Sequence, residues 1–272
     1  MHPIQSILVH VDADPHCSAR LRLARAWAGR LGASVAAVYA VTPATMGLSL
    51  VFTAGVPDQK LLAYDETRLA NARKLVKDSC LEPGVQIEWR ELRDAPEHDF
   101  RRQALYADLL VLGQRDGVHR EAGTSADFVQ SVIIESGKPA LVVPSAVQGE
   151  PDFSTVFVAW KETREAARAL TASIPFLQRA KTVIVGVDAD TADAHRALLQ
   201  RFLQQHGVDA QFRSVPSEGP PVADTLLAMA ADVGAGLMVM GCYGHSRGRE
   251  WIFGGATRGV LRSMTLPLFM AH

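Results

Sequence analysis

Cysteine is almost missing from this sequence. Three occur in 272 residues, Cys17, Cys80 and Cys242, far apart and with no CxxC pair. So sparse and odd a count excludes a disulfide framework and suits a reducing cytosol. Long apolar runs are missing too. None approaches the roughly 20 residues that a membrane-spanning helix needs. The opening MHPIQSILVHVDADP turns acidic and strand-like at once, so it is not expected to act as a signal peptide, and a cytoplasmic location is expected. Charge of one sign is lacking: 28 Lys and Arg face 29 Asp and Glu, for a net charge of -1. That balance argues against broad binding to nucleic acid or to a membrane surface. Familiar catalytic spacings are absent as well. The nine histidines form no HxxxH or HExxH pair, and Ser125 in GTSAD lies in no GxSxG elbow.

What is present is a repeat. ADLLVLGQRDG (107–117) resembles AGLMVMGCYGH (235–245), an offset of 128. The same offset relates Gly113 and Pro139 to Gly241 and Pro267. The starts of the halves also match, ILVHVDADPHCSARLRLARAW (7–27) against VFVAWKETREAARALTASI (156–174), at an offset of about 149. One fold is written twice. The first half therefore carries about 21 extra residues, assigned to the connection 42–60, a lid or a contact surface. The polar stretch 145–154 reads as a linker, giving domains of 1–146 and 152–272.

Within each half, short apolar runs alternate with amphipathic helical patterns. In the second half the strands are TVFVAW, TVIVGVD, AQFRSV, GLMVMG and LPLFMA. Several are continuously apolar, as parallel strands covered on both faces should be. The fold class is α/β: two tandem flavodoxin-sized, Rossmann-like domains, each with a five-stranded, mostly parallel sheet flanked by helices. Ligands of such sheets sit beyond the carboxyl ends of the strands, where strand order reverses.

The segment MGCYGHSRGREWIFGGATRGVL (240–261) follows a buried strand and leads into a helix. Gly241, Gly244, Gly254 and Gly255 would let backbone N–H groups approach an anion, and the helix beginning near Gly255 would add its positive dipole end. His245, Arg247 and Arg249 could add charge, and Thr257 a hydroxyl. The loop resembles a phosphate cradle, although no Walker Gly-Lys-Ser/Thr is present. The plain alternative is a tight turn after a parallel strand.

The pattern Gly241-x-x-Gly244, nine residues, then Gly254 and a helix is similar to the nucleotide loop of the universal stress protein family. The ending TRGVLRSMTLPLFMAH is similar to that family's closing helix and strand. The resemblance covers both halves and so points to the tandem, two-domain type. It implies a five-stranded α/β domain, ATP binding in some members and a role in stress adaptation. It also implies that Leu141–Pro144 and Leu268–Ala271 face each other, with the halves paired as a pseudo-dimer and a homodimer as a further step. Two departures matter. Members that bind ATP carry Ser or Thr where this chain has Gly255. They carry an acidic residue at the end of the first strand, where this chain has Lys161. A lysine cannot accept a hydrogen bond from base or sugar, but it can reach a phosphate. The first half is the reverse. Asp12 keeps the acidic position, while Asp116, Ala126 and Asp127 replace the later glycines. Carboxylates at an anion seat repel a triphosphate, so that half is expected not to bind.

One adenine nucleotide, ATP or another, with magnesium if it brings the ion along, is therefore expected in the second half. Trp160 and Val187 would lie near the base, and Lys161, Gly241, Gly244, Gly254, Gly255 and Thr257 near the phosphates. Trp160 could equally be a core or rim residue. Asp188 and Asp190 could bind ribose or metal, or simply cap a helix and line a turn. His10 reads as a core residue. Cys17, beside His16, could be an activated thiol, and Cys242 a small residue fitted to the turn. Three functions follow: a nucleotide-responsive binding module, a ligand-free interaction protein, and a slow ATPase using Asp188, Asp190 or Glu250. No catalytic or metal-ligating residue is assigned, and the chain is read as a non-enzyme.

Overall fold

A computed structural model describes residues 4–12, 14, 16–48 (backbone alone at 47 and 48), 59–115, 123–145, 151–216, 219–244 and 255–272. The chain forms two compact units, Met1–Lys138 and Pro139–His272. The boundary falls before the fifth strand, earlier than the expected linker.

The first unit runs β1 (Ser6–Val11), α1 (Cys17–Leu31), β2 (Ser34–Ala40), α2 (Ala44–Leu48), α3 (Gln59–Ser79), β3 (Ile87–Leu92), α4 (Pro96–Ala104), β4 (Leu109–Gly113) and α5 (Phe128–Ser136). Its strands lie in the order β3-β2-β1-β4. Neighbours are parallel, for example Val9 opposite both Ala37 and Val111. α1 and α5 each stop at a left-handed glycine, Gly32 at φ 70° and Gly137 at φ 61°, the conformation that ends a helix most readily. The extra length of this half falls between β2 and β3, where α2 and the 21-residue α3 lie. Much of the expected insertion, 49–58, lies outside the described residues.

The second unit runs β5 (Ala140–Val143), β6 (Thr155–Trp160), α6 (Arg164–Leu177), β7 (Thr182–Asp188), α7 (Asp193–Gln205), β8 (Ala210–Val215), α8 (Val222–Asp232), β9 (Leu237–Gly241), α9 (Gly255–Ser263) and β10 (Leu268–Ala271). Its order is β5-β10-β9-β6-β7-β8. The contacts are parallel except that β5 and β10 run antiparallel, with Leu141 opposite Phe269. These are the two strand segments expected to face each other. β9 and β10 are buried along nearly their whole length, whereas the edge strand β8 alternates. Continuous apolar sequence thus marks strands covered on both faces. Among the described residues no helix is long and apolar enough to cross a membrane.

From β6 the chain moves to β7 and β8 on one side, then returns to β9 on the other. Strand order therefore reverses between β6 and β9. That reversal opens a crevice at their carboxyl ends.

Candidate functional site

Above the β6–β9 reversal lies a cavity of about 430 Å³. The end of β6 contributes Trp160 and Lys161, and the start of α6 contributes Thr163 and Glu165. Gly186 and Asp188 of β7 and Asp190 beyond it form another wall. Gly241, Tyr243 and Gly244 close the cavity from β9, and Gly255 and Thr257 from the start of α9.

Six of the ten expected site residues meet here: Trp160, Lys161, Gly241, Gly244, Gly255 and Thr257. Val187 is fully buried, and its neighbours Gly186 and Asp188 line the cavity in its place. His245, Arg247 and Gly254 lie outside the described residues, as do Arg249 and Glu250.

The glycines differ in role. A Cβ on Gly241 would lie 2.4 Å from the backbone nitrogen of Ala166 and 2.6 Å from the carbonyl carbon of Glu165. The glycine is there so that β9 can pass under the first turn of α6. On Gly244 the nearest atom would be Oε2 of Glu165, at 2.7 Å, a side-chain tip, and on Gly255 nothing lies near. Gly255 thus leaves its backbone uncovered, whereas the Glu165 carboxylate fills the side-chain face of Gly244. The left-handed residue among the described part of the loop is not a glycine but Tyr243, at φ 58°. A bulky side chain held there stores about 1–3 kcal/mol of strain, which concentrates at functional sites.

The Tyr243 hydroxyl is buried and has no hydrogen-bond partner among the described residues. Burial also pushes its phenol well above the ordinary value. An orphaned buried hydroxyl costs about 1–3 kcal/mol. Tyr243→Phe should therefore leave ligand-free stability unchanged or raise it by about 1 kcal/mol. Denaturant midpoints of the two proteins check this, and a clear loss of stability would show that the hydroxyl is partnered.

Glu165 lines the cavity although the sequence reading did not assign it to the site. It is buried, and its carboxylate is tied to the Arg164 guanidinium. Burial alone would raise its pKa, but hydrogen bonds from Arg164 and from its own backbone N–H outweigh that and hold it ionised. Thr163 caps the same helix by accepting from the Ala166 N–H at 3.2 Å. The opening turn of α6 therefore has its own acceptors, and the start of α9 at Gly255 also lines the cavity. Asp188 accepts from the Asp190 N–H at 3.4 Å, and α7 is capped at Ala192, so the pair shapes a turn rather than a helix cap.

Neither candidate thiol is activated. Burial pushes Cys17 up to about 11 and Cys242 up to about 12. Cys242 fits the turn as a buried residue, and His10 is satisfied in the core by the Ala40 carbonyl at 2.9 Å. Among the described residues no three metal-ligating side chains come together.

The first half presents a different picture at the matching position. Asp12 is buried and paired with Arg20, which is 2% exposed. Arg20 also donates to the His10 carbonyl at 3.1 Å, and its Cζ would lie 3.0 Å from a Cβ on Gly113. The acidic residue is consumed inside the fold, and a guanidinium fills the space beside the strand tip. At the 149-residue offset the second half has Ala169 instead. The expected obstacle here was repulsion by Asp116 and Asp127. Asp116 lies outside the described residues, and Asp127 stands at the start of α5.

Comparison with solved structures agrees with this architecture. A universal stress protein from Archaeoglobus fulgidus DSM 4304 aligns over 98% of this chain and 95% of its own, with a TM-score of 0.65 at 14% identity. A functionally unknown protein from Pseudomonas aeruginosa PAO1 aligns over 98% and 92%, with a TM-score of 0.57 at 16% identity. No family model matches the sequence, and no curated protein does. The chain has the universal stress protein fold, an α/β fold with a mostly parallel sheet flanked by helices.

Proposed function

We propose that the protein is a nucleotide-responsive tandem universal stress protein that binds one adenine nucleotide in its second half. The observation that carries this is the cavity at the β6–β9 reversal, where Gly244 and the uncovered backbone of Gly255 meet the N-terminal end of α9. A volume of about 430 Å³ lies in the range of small-molecule sites. Lys161 supplies a cation for a phosphate. Trp160 offers a ring to the base, and Asp188 offers an acceptor to ribose hydroxyls. Asp188 and Asp190 could also touch a magnesium ion carried in by the nucleotide. The role is binding, with no chemical step, and the setting is stress adaptation in the cytoplasm. Association of two chains belongs to the same reading.

Thermal unfolding tests it. Millimolar AMP should raise the midpoint by a few degrees, because a ligand that binds only the folded state stabilises it. An unmoved midpoint with both AMP and ATP would reject the reading.

A ligand-free interaction role is the second reading, favoured by a groove of about 390 Å³ between α6 and α7. Leu170, Leu198, Leu199 and Phe202 line it, and Leu198 is 65% exposed.

A further inference from the structure

We infer that the turn from β6 into α6 couples the cavity to the groove between α6 and α7, so that filling the first alters the second. The inference rests on the nucleotide reading above and adds to it the surface that responds to the ligand.

The turn has two faces. Trp160 ends β6, Arg164 begins α6, and three residues join them. Lys161 and Thr163 line the cavity, Glu162 between them lines the groove, and Trp160 lines both. One indole thus forms part of two walls. Its backbone is held in the sheet opposite Val187, and the Thr163 N–H donates to the Lys161 carbonyl at 2.7 Å. A turn this short and closed has little slack. A ligand that sets the angle of the indole, or draws on Lys161, therefore displaces Glu162 as well.

The groove side can follow. Glu162 is paired at 2.7 Å with His195, which lies in the first turn of α7. In the first half α1 packs against α3, whereas the corresponding α6 and α7 leave a groove of about 390 Å³ between them. Only Leu199 and Leu203 of α7 are buried. A helix held by so few buried side chains belongs to the low end of local stability, the end from which moving elements are drawn. The Glu162–His195 pair ties that helix to the turn, and Trp160 stands between ligand and groove. Coupling of this kind runs both ways: whatever occupies the groove must change the affinity for nucleotide by the same factor.

Two-dimensional NMR of the isotope-labelled full chain, titrated with AMP, tests this. In the wild type the amides of Leu198, Leu199 and Phe202 on α7 should shift along the same saturation curve as Gly186 on the cavity wall. The amides of α1 should stay at baseline. His195→Ala, at a position 54% exposed, should leave the Gly186 response unchanged. It should reduce the α7 shifts by about half, since coupling through a network is shared among its members. Trp160→Leu, read at saturating AMP, should reduce them too. Amides of α7 that stay at baseline while Gly186 shifts would overturn the inference and leave the nucleotide reading standing. So would α7 shifts of full size in both variants. If neither the cavity wall nor α7 responds to AMP, the nucleotide reading itself has failed, and the inference with it.

Discussion

Arg20→Ala should destabilise the first half by about 3–5 kcal/mol, the cost of removing one partner from a buried ion pair. Arg20 and Asp12 are 2% and 6% exposed, and the guanidinium reaches both carboxylate oxygens. Without Arg20 the carboxylate keeps the Asp14 N–H at 3.0 Å and a histidine nitrogen at 3.6 Å, too little for a buried charge. Replacing both charges by apolar groups should cost much less, because no charge is then stranded. The cluster also sets an acid limit. Burial pushes His10 below its ordinary 6.5, against the opposing pull of Asp12. Asp12 would be raised by burial, but Arg20 and His10 outweigh that and hold it below 3.8. In both cases the unfolded chain binds the proton more readily, so stability rises with pH. It is fully present above about 6.5, starts to fall below that through His10, and falls further below about 3.8 through Asp12. Urea unfolding followed across pH should show this for the wild type, and Arg20→Ala should be less stable at neutral pH, with the gap narrowing in acid as Asp12 takes up its proton. A loss under 1 kcal/mol would mean that the pair is open to water.

Gly241→Ala should cost about 3 kcal/mol, at the upper end of what an inserted methyl costs in a packed core. Its Cβ would meet the backbone of Ala166 and Glu165 at 2.4 and 2.6 Å, so α6 itself has to move. Gly244→Ala should cost less, about 1 kcal/mol, since the Cβ meets the tip of the Glu165 side chain rather than backbone. The same substitution three residues apart thus separates a glycine under which backbone packs from one that the proposed ligand would touch. Denaturant midpoints of the two variants compare them directly, and equal losses would contradict that division.

Much of this was legible in the sequence. The 128-residue offset located β4 and β9, and continuous apolar runs marked the buried strands. The glycine loop led to the crevice at the β6–β9 reversal because a strand followed by glycine and a helix has few geometries open to it. Three features were not legible. Glu165 looked like an ordinary helix-surface charge, because a helical pattern does not show that β9 passes under the first turn. Arg20 belongs to an amphipathic helix and was not tied to Asp12, although the Asp12–Arg20 spacing and the unpaired acidic residue were a signal. Tyr243 carries the left-handed turn where glycine was expected, because the surrounding fold can impose a conformation that local preference opposes.

The central claim is that an anion-bearing nucleotide has one seat in this chain, beside Gly244 and Gly255, and none in the first half. Calorimetric stoichiometry with AMP tests it most directly. The expected result is one nucleotide per chain, lost in Gly244→Asp, which sets a second carboxylate beside Glu165. Two nucleotides per chain, or one that survives Gly244→Asp, would contradict it.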